Sequence, residues 1–112
     1  MMKKRKGRGS KAKLAVAPSS TVVYFSAPWC APCRTFGPLL AEECKAAGVT
    51  LVKIDGDAVE RDSPYADEAA LLKSVPFTRW AGDRPGAQSF VGPWKRTTVR
   101  EWLRVGVEDS RR

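Results

Sequence analysis

The chain of 112 residues contains no histidine and only three cysteines, and these two shortages restrict the chemistry that it can perform. A zinc site made of four cysteines, or of two cysteines and two histidines, lacks a required ligand. A Ser-His-Asp triad and a Cys-His nucleophile both lack the histidine that would act as the base. Any chemistry must therefore come from thiols or carboxylates.

Long apolar runs are also missing from the sequence. No stretch reaches the length of about 18 apolar residues that indicates a membrane-spanning helix. Residues 14–17 are apolar and follow a basic start, but Pro18 ends this stretch before the roughly 7–15 apolar residues that a secretory signal requires. We therefore expect a cytoplasmic protein that makes no membrane contact, with export as the alternative.

Acidic residues are absent from the first 13 positions, and this absence accounts for most of the net charge of +8. Residues 1–13 contain seven basic side chains, whereas the remaining 99 residues together carry a formal charge of only +1. We predict a basic arm over residues 1–20 and a single domain over residues 21–112. The arm either increases solubility or binds a polyanion such as nucleic acid weakly through residues 3–13.

The periodicity of apolar residues predicts an α/β fold with the order β-α-β-α-β-β-α. Residues 21–25 are apolar without alternation, which is typical of a central strand covered on both faces. This order implies a four-stranded mixed sheet with helices on both faces. Strands are predicted for residues 21–25, 49–55, 77–80 and 87–91, and helices for residues 32–47, for residues 64–74 and from residue 99 onward.

Single residues indicate where the helices begin, bend and end. Pro38 should kink the first helix, and Gly48 follows it in the position of a glycine cap. Ser63, which precedes a proline, predicts the N-terminus of the second helix. Thr98 and Glu101 have the spacing of a capping box for the third helix.

Residues 29–33, Trp-Cys-Ala-Pro-Cys, carry the strongest chemical signal because they join the first predicted strand to the first helix. Two thiols at this spacing can close a small disulfide ring. Cys30 lies at the helix N-terminus, where unpaired N–H groups and the helix dipole stabilise a thiolate, so we predict that Cys30 is the nucleophile. A metal site would need a second pair of ligands, and Cys44 is the only other thiol.

This motif and three later features resemble the thioredoxin family over about residues 21–107. The motif is close to the family's Trp-Cys-Gly-Pro-Cys, with Ala31 in place of glycine, and Pro38 matches the proline inside the family's active-site helix. Val75-Pro76 resembles the step at which the family has a cis proline facing the disulfide, and Gly92 resembles its later glycine. The resemblance implies a minimal thioredoxin-like fold, in which the basic arm replaces the family's first strand and helix.

The resemblance also implies a protein-disulfide reductase that needs no cofactor beyond its own disulfide. Cys30 would attack a substrate disulfide, and Cys33 would resolve the mixed disulfide that forms. The implied substrate-binding residues are Trp29, Ala31, Pro32, Val75, Pro76 and Gly92. We expect a monomer that meets disulfide-containing proteins and a recycling partner of the thioredoxin-reductase type. The alternatives are a glutaredoxin-like reductase and a redox-inactive binding module that uses the basic arm.

Three positions leave the chemistry partly open. Tyr24 stands where thioredoxins have a buried aspartate that assists proton transfer from the second thiol, and Leu51 replaces a lysine. A tyrosine with a pKa near ~10 is no carboxylate base, so Cys33 must lose its proton to water, the leaving thiolate or another group. Cys44 is either a small buried hydrophobe or an exposed regulatory thiol. Its distance of about 16 Å along the helix excludes a disulfide with Cys33.

Overall fold

The computed structural model describes residues 21–110 of the chain and confirms the predicted order of elements. The strands are β1 (Thr21–Ser26), β2 (Thr50–Asp55), β3 (Phe77–Trp80) and β4 (Phe90–Val91), and the helices are α1 (Ala31–Ala47), α2 (Ala66–Leu71) and α3 (Arg96–Asp109). The basic arm predicted for residues 1–20 lies outside the described residues, so its role stays a prediction.

The four strands form one mixed sheet in the order β2-β1-β3-β4. Strand β1 runs parallel to β2 and antiparallel to β3, and β3 runs antiparallel to β4. As predicted, β1 is central, and its four residues from Val22 to Phe25 are fully shielded from solvent. The register pairs Tyr24 with Lys53 and Ser26 with Asp55, so the carboxyl ends of β1 and β2 lie at the same edge.

Helices cover both faces of the sheet. On one face, side chains of β1 pack with the apolar faces of α1 and α3 in the main core, whose members include Val22, Tyr24, Phe36, Leu40, Val99 and Leu103. On the other face, the Phe25 ring contacts the rings of Tyr65 and Phe77 at centroid distances of 6.3 and 5.9 Å. An ion pair of 2.6 Å between Arg79 on β3 and Glu68 on α2 adds a polar tie on that face.

Helix α1 follows its predicted signals at both ends. Cys30 is its N-cap, and Gly48 ends it in the left-handed conformation, with φ of +73°. The Gly48 N–H donates to the carbonyl of Lys45, and the following Val49 N–H donates to that of Cys44. Glycine adopts this conformation at little cost, which explains why the helix ends here.

The start of α2 differs from the prediction. The Ser63 hydroxyl accepts the N–H of Tyr65 at 3.1 Å, and the Ser63 carbonyl accepts the N–H of Ala66, so this serine forms a turn ahead of the helix. The helix begins at Ala66 and ends at Leu71, because Leu72 has extended backbone angles. A serine can stabilise either a helix cap or a local turn, and here the turn prevails.

The last two elements also have boundaries that differ from the predictions. Helix α3 begins at Arg96, two residues before Thr98, and no side chain caps its N-terminus. The predicted capping box is therefore wrong, and Glu101 pairs with Arg104 on the helix surface instead. Strand β4 is reduced to two residues, because Ala87 lies in a turn in which its N–H donates to the Arg84 carbonyl.

Candidate active site

Cys30 and Cys33 form a disulfide at the edge of the sheet where β1 ends, with their Cα atoms 5.3 Å apart. The chain leaves β1 through a tight turn in which the Cys30 N–H donates to the Ala27 carbonyl at 3.1 Å. Helix α1 then begins at once, with Pro32 in its first turn, where the missing N–H of proline costs no helical hydrogen bond. The fold thus places both sulfurs in the first turn of a helix.

The N-terminus of α1 provides the electrostatic environment of this pair. The Cys33 N–H donates to the Cys30 Sγ at 3.2 Å, so the sulfur caps the helix. The first turn contains no acidic side chain that would oppose a negative charge. After reduction, the same N–H group and the positive end of the helix dipole would stabilise a Cys30 thiolate. This arrangement favours Cys30 over Cys33 as the nucleophile.

The predicted substrate-binding residues surround the disulfide. Val75 packs against the small cluster of Ala27, Cys30 and Cys33, and the peptide bond between Val75 and Pro76 is cis. Ala31 and Pro32 are exposed in the first turn of α1, and Trp29 is 69% exposed beside them.

Gly92 joins this surface through a hydrogen bond of 2.8 Å from its N–H to the Pro76 carbonyl. Its φ of +96° requires glycine, and a Cβ added there would meet no atom within 4 Å. The space above Gly92 is therefore open to a partner. The neighbouring Val91 is 55% exposed and extends the apolar surface.

Asp57 is a site residue that the sequence analysis missed. Its Oδ2 accepts the indole N–H of Trp29 at 2.9 Å, and its own N–H donates to Asp55 Oδ1 at 2.9 Å. Two hydrogen bonds therefore link the exposed tryptophan to the end of β2. The available signal was the position of Asp55 at the end of β2 and of Asp57 just after it, because β2 is parallel to the strand that leads into the cysteines.

Tyr24 lies beneath the disulfide and is fully buried. Its hydroxyl donates to the Cys33 carbonyl at 3.3 Å, and its ring packs edge-on against Phe36. Burial raises the pKa of Tyr24 to about 12. The hydroxyl therefore stays protonated at neutral pH, donates a hydrogen bond and cannot take a proton from Cys33.

A cavity of about 270 Å³ opens beside Cys33, between the first turn of α1 and the ends of β1 and β2. Three charged side chains line it, namely Arg34 from α1 and Lys53 and Asp55 from β2. Ser26, Ala27 and Pro28 complete the lining. Solvent thus has a route toward the second cysteine that does not pass the substrate-binding surface.

Cys44, the third thiol, lies near the other end of α1 and is only 1% exposed. Of the two alternatives for this residue, the structure supports the buried hydrophobe. Burial, aided by the neighbouring carboxylate of Glu43, raises the pKa of the Cys44 thiol to about 12. The thiol is therefore protonated and inert at neutral pH.

Within residues 21–110, no helix has the length and apolarity needed to cross a membrane. Over the same residues, no three cysteine, aspartate or glutamate side chains are grouped so that they could hold a metal ion.

Known sequences and structures resemble this chain over most of its length. The sequence model of the family described as Thioredoxin matches residues 7–104, so the match begins inside the segment predicted as a basic arm. A thioredoxin from Rhodospirillum rubrum is 31% identical over 87 residues, which are 76% of this chain and 80% of that protein. A chloroplastic M-type thioredoxin from Zea mays is 30% identical over 80 residues, which are 70% of this chain but only 46% of that protein.

A solved structure supports the same assignment. The crystal structure of reduced thioredoxin pre-protein from Schistosoma mansoni superposes with a TM-score of 0.56 and 27% identity, covering 75% of each chain. The fold and the Cys30–Cys33 disulfide at a helix N-terminus agree with this similarity. The chain therefore belongs to the thioredoxin family of thiol–disulfide oxidoreductases.

Proposed function

We propose that the chain reduces disulfide bonds in other proteins through the Cys30–Cys33 dithiol. The observation that carries this proposal is the Cys30 sulfur at the N-cap of α1, where it accepts the Cys33 N–H at 3.2 Å. A thiolate in this position is available at neutral pH, and a second thiol lies close enough to resolve the intermediate. We propose a cytosolic setting, where such thiols are kept reduced.

The reaction begins with the reduced form. The Cys30 thiolate attacks one sulfur of the substrate disulfide, and the other substrate sulfur leaves as a thiolate and takes up a proton. The Cys33 thiolate then attacks the Cys30 Sγ, which breaks the mixed disulfide and releases the second substrate sulfur. The protein gives up two electrons and becomes the Cys30–Cys33 disulfide, which a recycling reductase must reduce again.

Substrate proteins would dock on the apolar surface around the disulfide. Trp29 and Val91 are large exposed hydrophobic side chains, and the space above Gly92, which binds the Pro76 carbonyl, is open. An exposed apolar surface of this kind can bind a segment of a substrate protein. The hydrogen bond from Trp29 to Asp57 would hold the indole in place as the segment arrives.

Reduction of the disulfides of insulin tests this function. With dithiothreitol as the electron source, the wild-type protein should accelerate precipitation of the insulin B chain above the rate with dithiothreitol alone. The Cys30→Ser variant should not, whereas Cys44→Ala should act like the wild type because Cys44 is buried away from the disulfide. Equal rates with wild type and Cys30→Ser would contradict the proposal.

The test also separates the two alternatives. A glutaredoxin-like reductase would act on a mixed disulfide between a peptide and glutathione in preference to insulin. A redox-inactive binding module would leave both substrates unreduced. Acceleration of insulin reduction that depends on Cys30 excludes the inactive module, and a strong preference for the glutathione adduct would instead support the glutaredoxin-like alternative.

A further inference from the structure

Cys33 has no obvious base beside it that could accept its proton. Which group accepts this proton matters only if the proposed reductase function holds. Cys33 is 7% exposed, and its thiol must ionise before it can attack the mixed disulfide. Tyr24, the buried residue below it, has a pKa raised to about 12 by burial, and its hydroxyl donates a hydrogen bond to the Cys33 carbonyl. If a side chain acts as the base, it must therefore come from another element.

The register of β1 and β2 shows which side chains face Cys33. Side chains alternate along a strand, and β1 pairs with β2 so that Lys53 lies beside Tyr24 and Asp55 beside Ser26. Lys53 and Asp55 therefore occupy the same face of the sheet as Tyr24, which is the face that α1 covers. Both side chains line the cavity beside Cys33.

Asp55 is the single carboxylate among the residues that line this cavity. The other charged lining groups, the Lys53 ammonium and the Arg34 guanidinium, are cations that carry no basic lone pair at neutral pH. The cavity of about 270 Å³ has room for several water molecules, each of which occupies about 30 Å³ in the liquid. A short chain of waters can thus connect the carboxylate with the thiol.

We propose that Asp55 accepts the proton of Cys33 during the resolving step, through water in this cavity. The Cys33 thiol loses its proton to the Asp55 carboxylate, and the resulting thiolate forms a bond with the Cys30 Sγ. The bond between Cys30 and the substrate sulfur breaks in the same step. The substrate leaves as a thiolate and takes up a proton from solvent, while the Asp55 carboxyl group returns its proton to the water in the cavity. Two electrons pass from the Cys30–Cys33 dithiol to the substrate, so protons and electrons balance.

The surroundings of Asp55 suit this role. Its Oδ1 is held by the N–H of Asp57 at 2.9 Å, which fixes the carboxylate at the end of β2. Lys53 and Arg34 line the same cavity, so their positive charges lie near the position where the Cys33 thiolate forms during the step. Asp55 on β2 can therefore act as the base that Tyr24 on β1 cannot provide.

The Asp55→Asn variant tests this proposal because asparagine keeps the shape and the oxygen that accepts the Asp57 N–H. Reduced protein in a Cys44→Ala background is mixed with dithiobis(nitrobenzoic acid), whose coloured thiolate is released once when Cys30 attacks and again when Cys33 resolves the adduct. Asp62→Asn is the matched control, because Asp62 is exposed and lies outside the cavity. The two phases report the two steps separately on one protein sample.

With Asp55→Asn, we expect an unchanged first phase and a second phase slowed by at least about tenfold near neutral pH, since general bases contribute about 10²–10⁴-fold. Between about pH 6 and pH 8 the wild-type second phase should stay nearly constant, whereas that of the variant should rise with pH as hydroxide replaces the internal base. Asp55→Glu should restore both the rate and the flat profile. A loss that was merely structural would slow the first phase as well.

Second phases with the same rate and pH slope in wild type, Asp55→Asn and Asp62→Asn would overturn the proposal. If Asp55→Asn lost its fold, the unfolded sample would show a changed first phase. In that case the Asp55→Glu variant decides. A second-phase rate that stays constant with pH, as in the wild type, supports a carboxylate base. A rate that rises with hydroxide concentration contradicts it. Failure of the reductase function itself would look different, since the wild type would then not reduce insulin even though both thiols react with the aromatic disulfide.

Discussion

The two ends of α1 each hold a buried cysteine, yet their surroundings have opposite effects on thiol chemistry. Cys33 is 7% exposed and Cys44 is 1% exposed, so burial barely distinguishes them. The first turn offers a helix N-terminus, a disulfide partner and a cavity toward solvent. The region around Cys44 offers only core side chains and the Glu43 carboxylate, which oppose ionisation. Exposure alone therefore does not distinguish the two cysteines: the helix N-terminus and the cavity favour a thiolate in the first turn, whereas burial among core side chains and the Glu43 carboxylate oppose one at Cys44.

The two ends of α1 also differ in their ion pairs, because the C-terminal end anchors the helix and the first turn holds the active site. Near the C-terminus of α1, the buried Glu43 carboxylate binds Arg96 at 2.7 Å and Arg100 at 3.0 Å and thereby ties α1 to α3. The first turn of α1 contains no acidic residue and takes part in no ion pair within residues 21–110. The rest of the helix thus anchors the first turn, while the first turn keeps the N–H groups that favour a thiolate.

The largest expected effect comes from replacing a cysteine at each end of α1, namely Cys30 in one variant and Cys44 in another. Cys30→Ser should reduce the insulin-reduction rate to that of dithiothreitol alone, because serine is a far weaker nucleophile at neutral pH. Cys44→Ala should keep nearly the full rate. A large loss of activity in Cys44→Ala, with an unchanged unfolding transition, would mean that the end of α1 remote from the disulfide takes part in the chemistry.

The next effect is a difference in alkylation between the three thiols of the reduced protein. The pKa of Cys30 should lie below the ordinary thiol value of about 8.5, because the helix N-terminus favours its thiolate. Iodoacetamide should therefore label Cys30 first, Cys33 later and Cys44 only after unfolding, as its pKa is raised to about 12. Peptide mass spectrometry after labelling at several pH values measures this order, and faster labelling of Cys33 than Cys30 would contradict it.

A smaller effect concerns acid stability at the scaffold end of α1. Hydrogen bonds from Arg100 and Arg96 lower the pKa of Glu43 to about 2. A carboxylate with a lowered pKa in the folded state stabilises the fold above its ordinary pKa of about 4.3, and this contribution disappears as the pH falls toward 2. The free energy of unfolding, measured in urea, should therefore decrease over this range.

Glu43→Gln supplies the control for the acid effect. The variant should be less stable than the wild type at neutral pH, and the difference should shrink as the pH falls from about 4.3 toward 2. Glu101→Gln, which alters an exposed ion pair with Arg104, should leave the acid dependence almost unchanged. A Glu43→Gln protein with the same pH dependence as the wild type would assign the acid sensitivity to other groups.

The smallest expected effect comes from Tyr24→Phe, which removes only the hydroxyl beneath the disulfide. Loss of the hydrogen bond to the Cys33 carbonyl should lower the free energy of unfolding by about 0.5–1.5 kcal/mol. The rate of insulin reduction should stay close to that of the wild type, because the hydroxyl donates a hydrogen bond to the carbonyl and takes no proton from the Cys33 thiol. A strong decrease in the rate at unchanged stability would give Tyr24 a direct role in catalysis.

The parts of the fold that sequence could predict depend on local patterns. The apolar run of β1 predicts a central strand, and Gly48 predicts the end of α1, because a buried strand and a left-handed cap restrict residue types directly. The redox pair was predictable for the same reason, since both cysteines and the helix N-terminus lie within a few residues. The start of α2 was not, because Ser63 satisfies the requirements of a turn as well as those of a cap.

Contacts between distant residues explain what else the sequence analysis missed. Trp29 and Asp57 are 28 residues apart, and Glu43 and Arg96 are 53 residues apart, so neither pair leaves a periodic signal. The cavity that brings Asp55 beside Cys33 arises only when β2 takes its place next to β1. Such sites follow from strand register, which the sequence restricts through apolar faces but does not specify residue by residue.

Covalent trapping with the Cys33→Ser variant tests the central claim most directly, namely that Cys30 attacks protein disulfides and Cys33 resolves the adduct. The hydroxyl of serine cannot resolve the mixed disulfide, so substrates should stay attached to Cys30 in bonds that dithiothreitol cleaves. Mass spectrometry should locate every bond at Cys30, with far less trapping by Cys30→Ser and no change when Cys44→Ala is added. Absence of adducts, in a lysate whose disulfides the wild type reduces, would contradict the account.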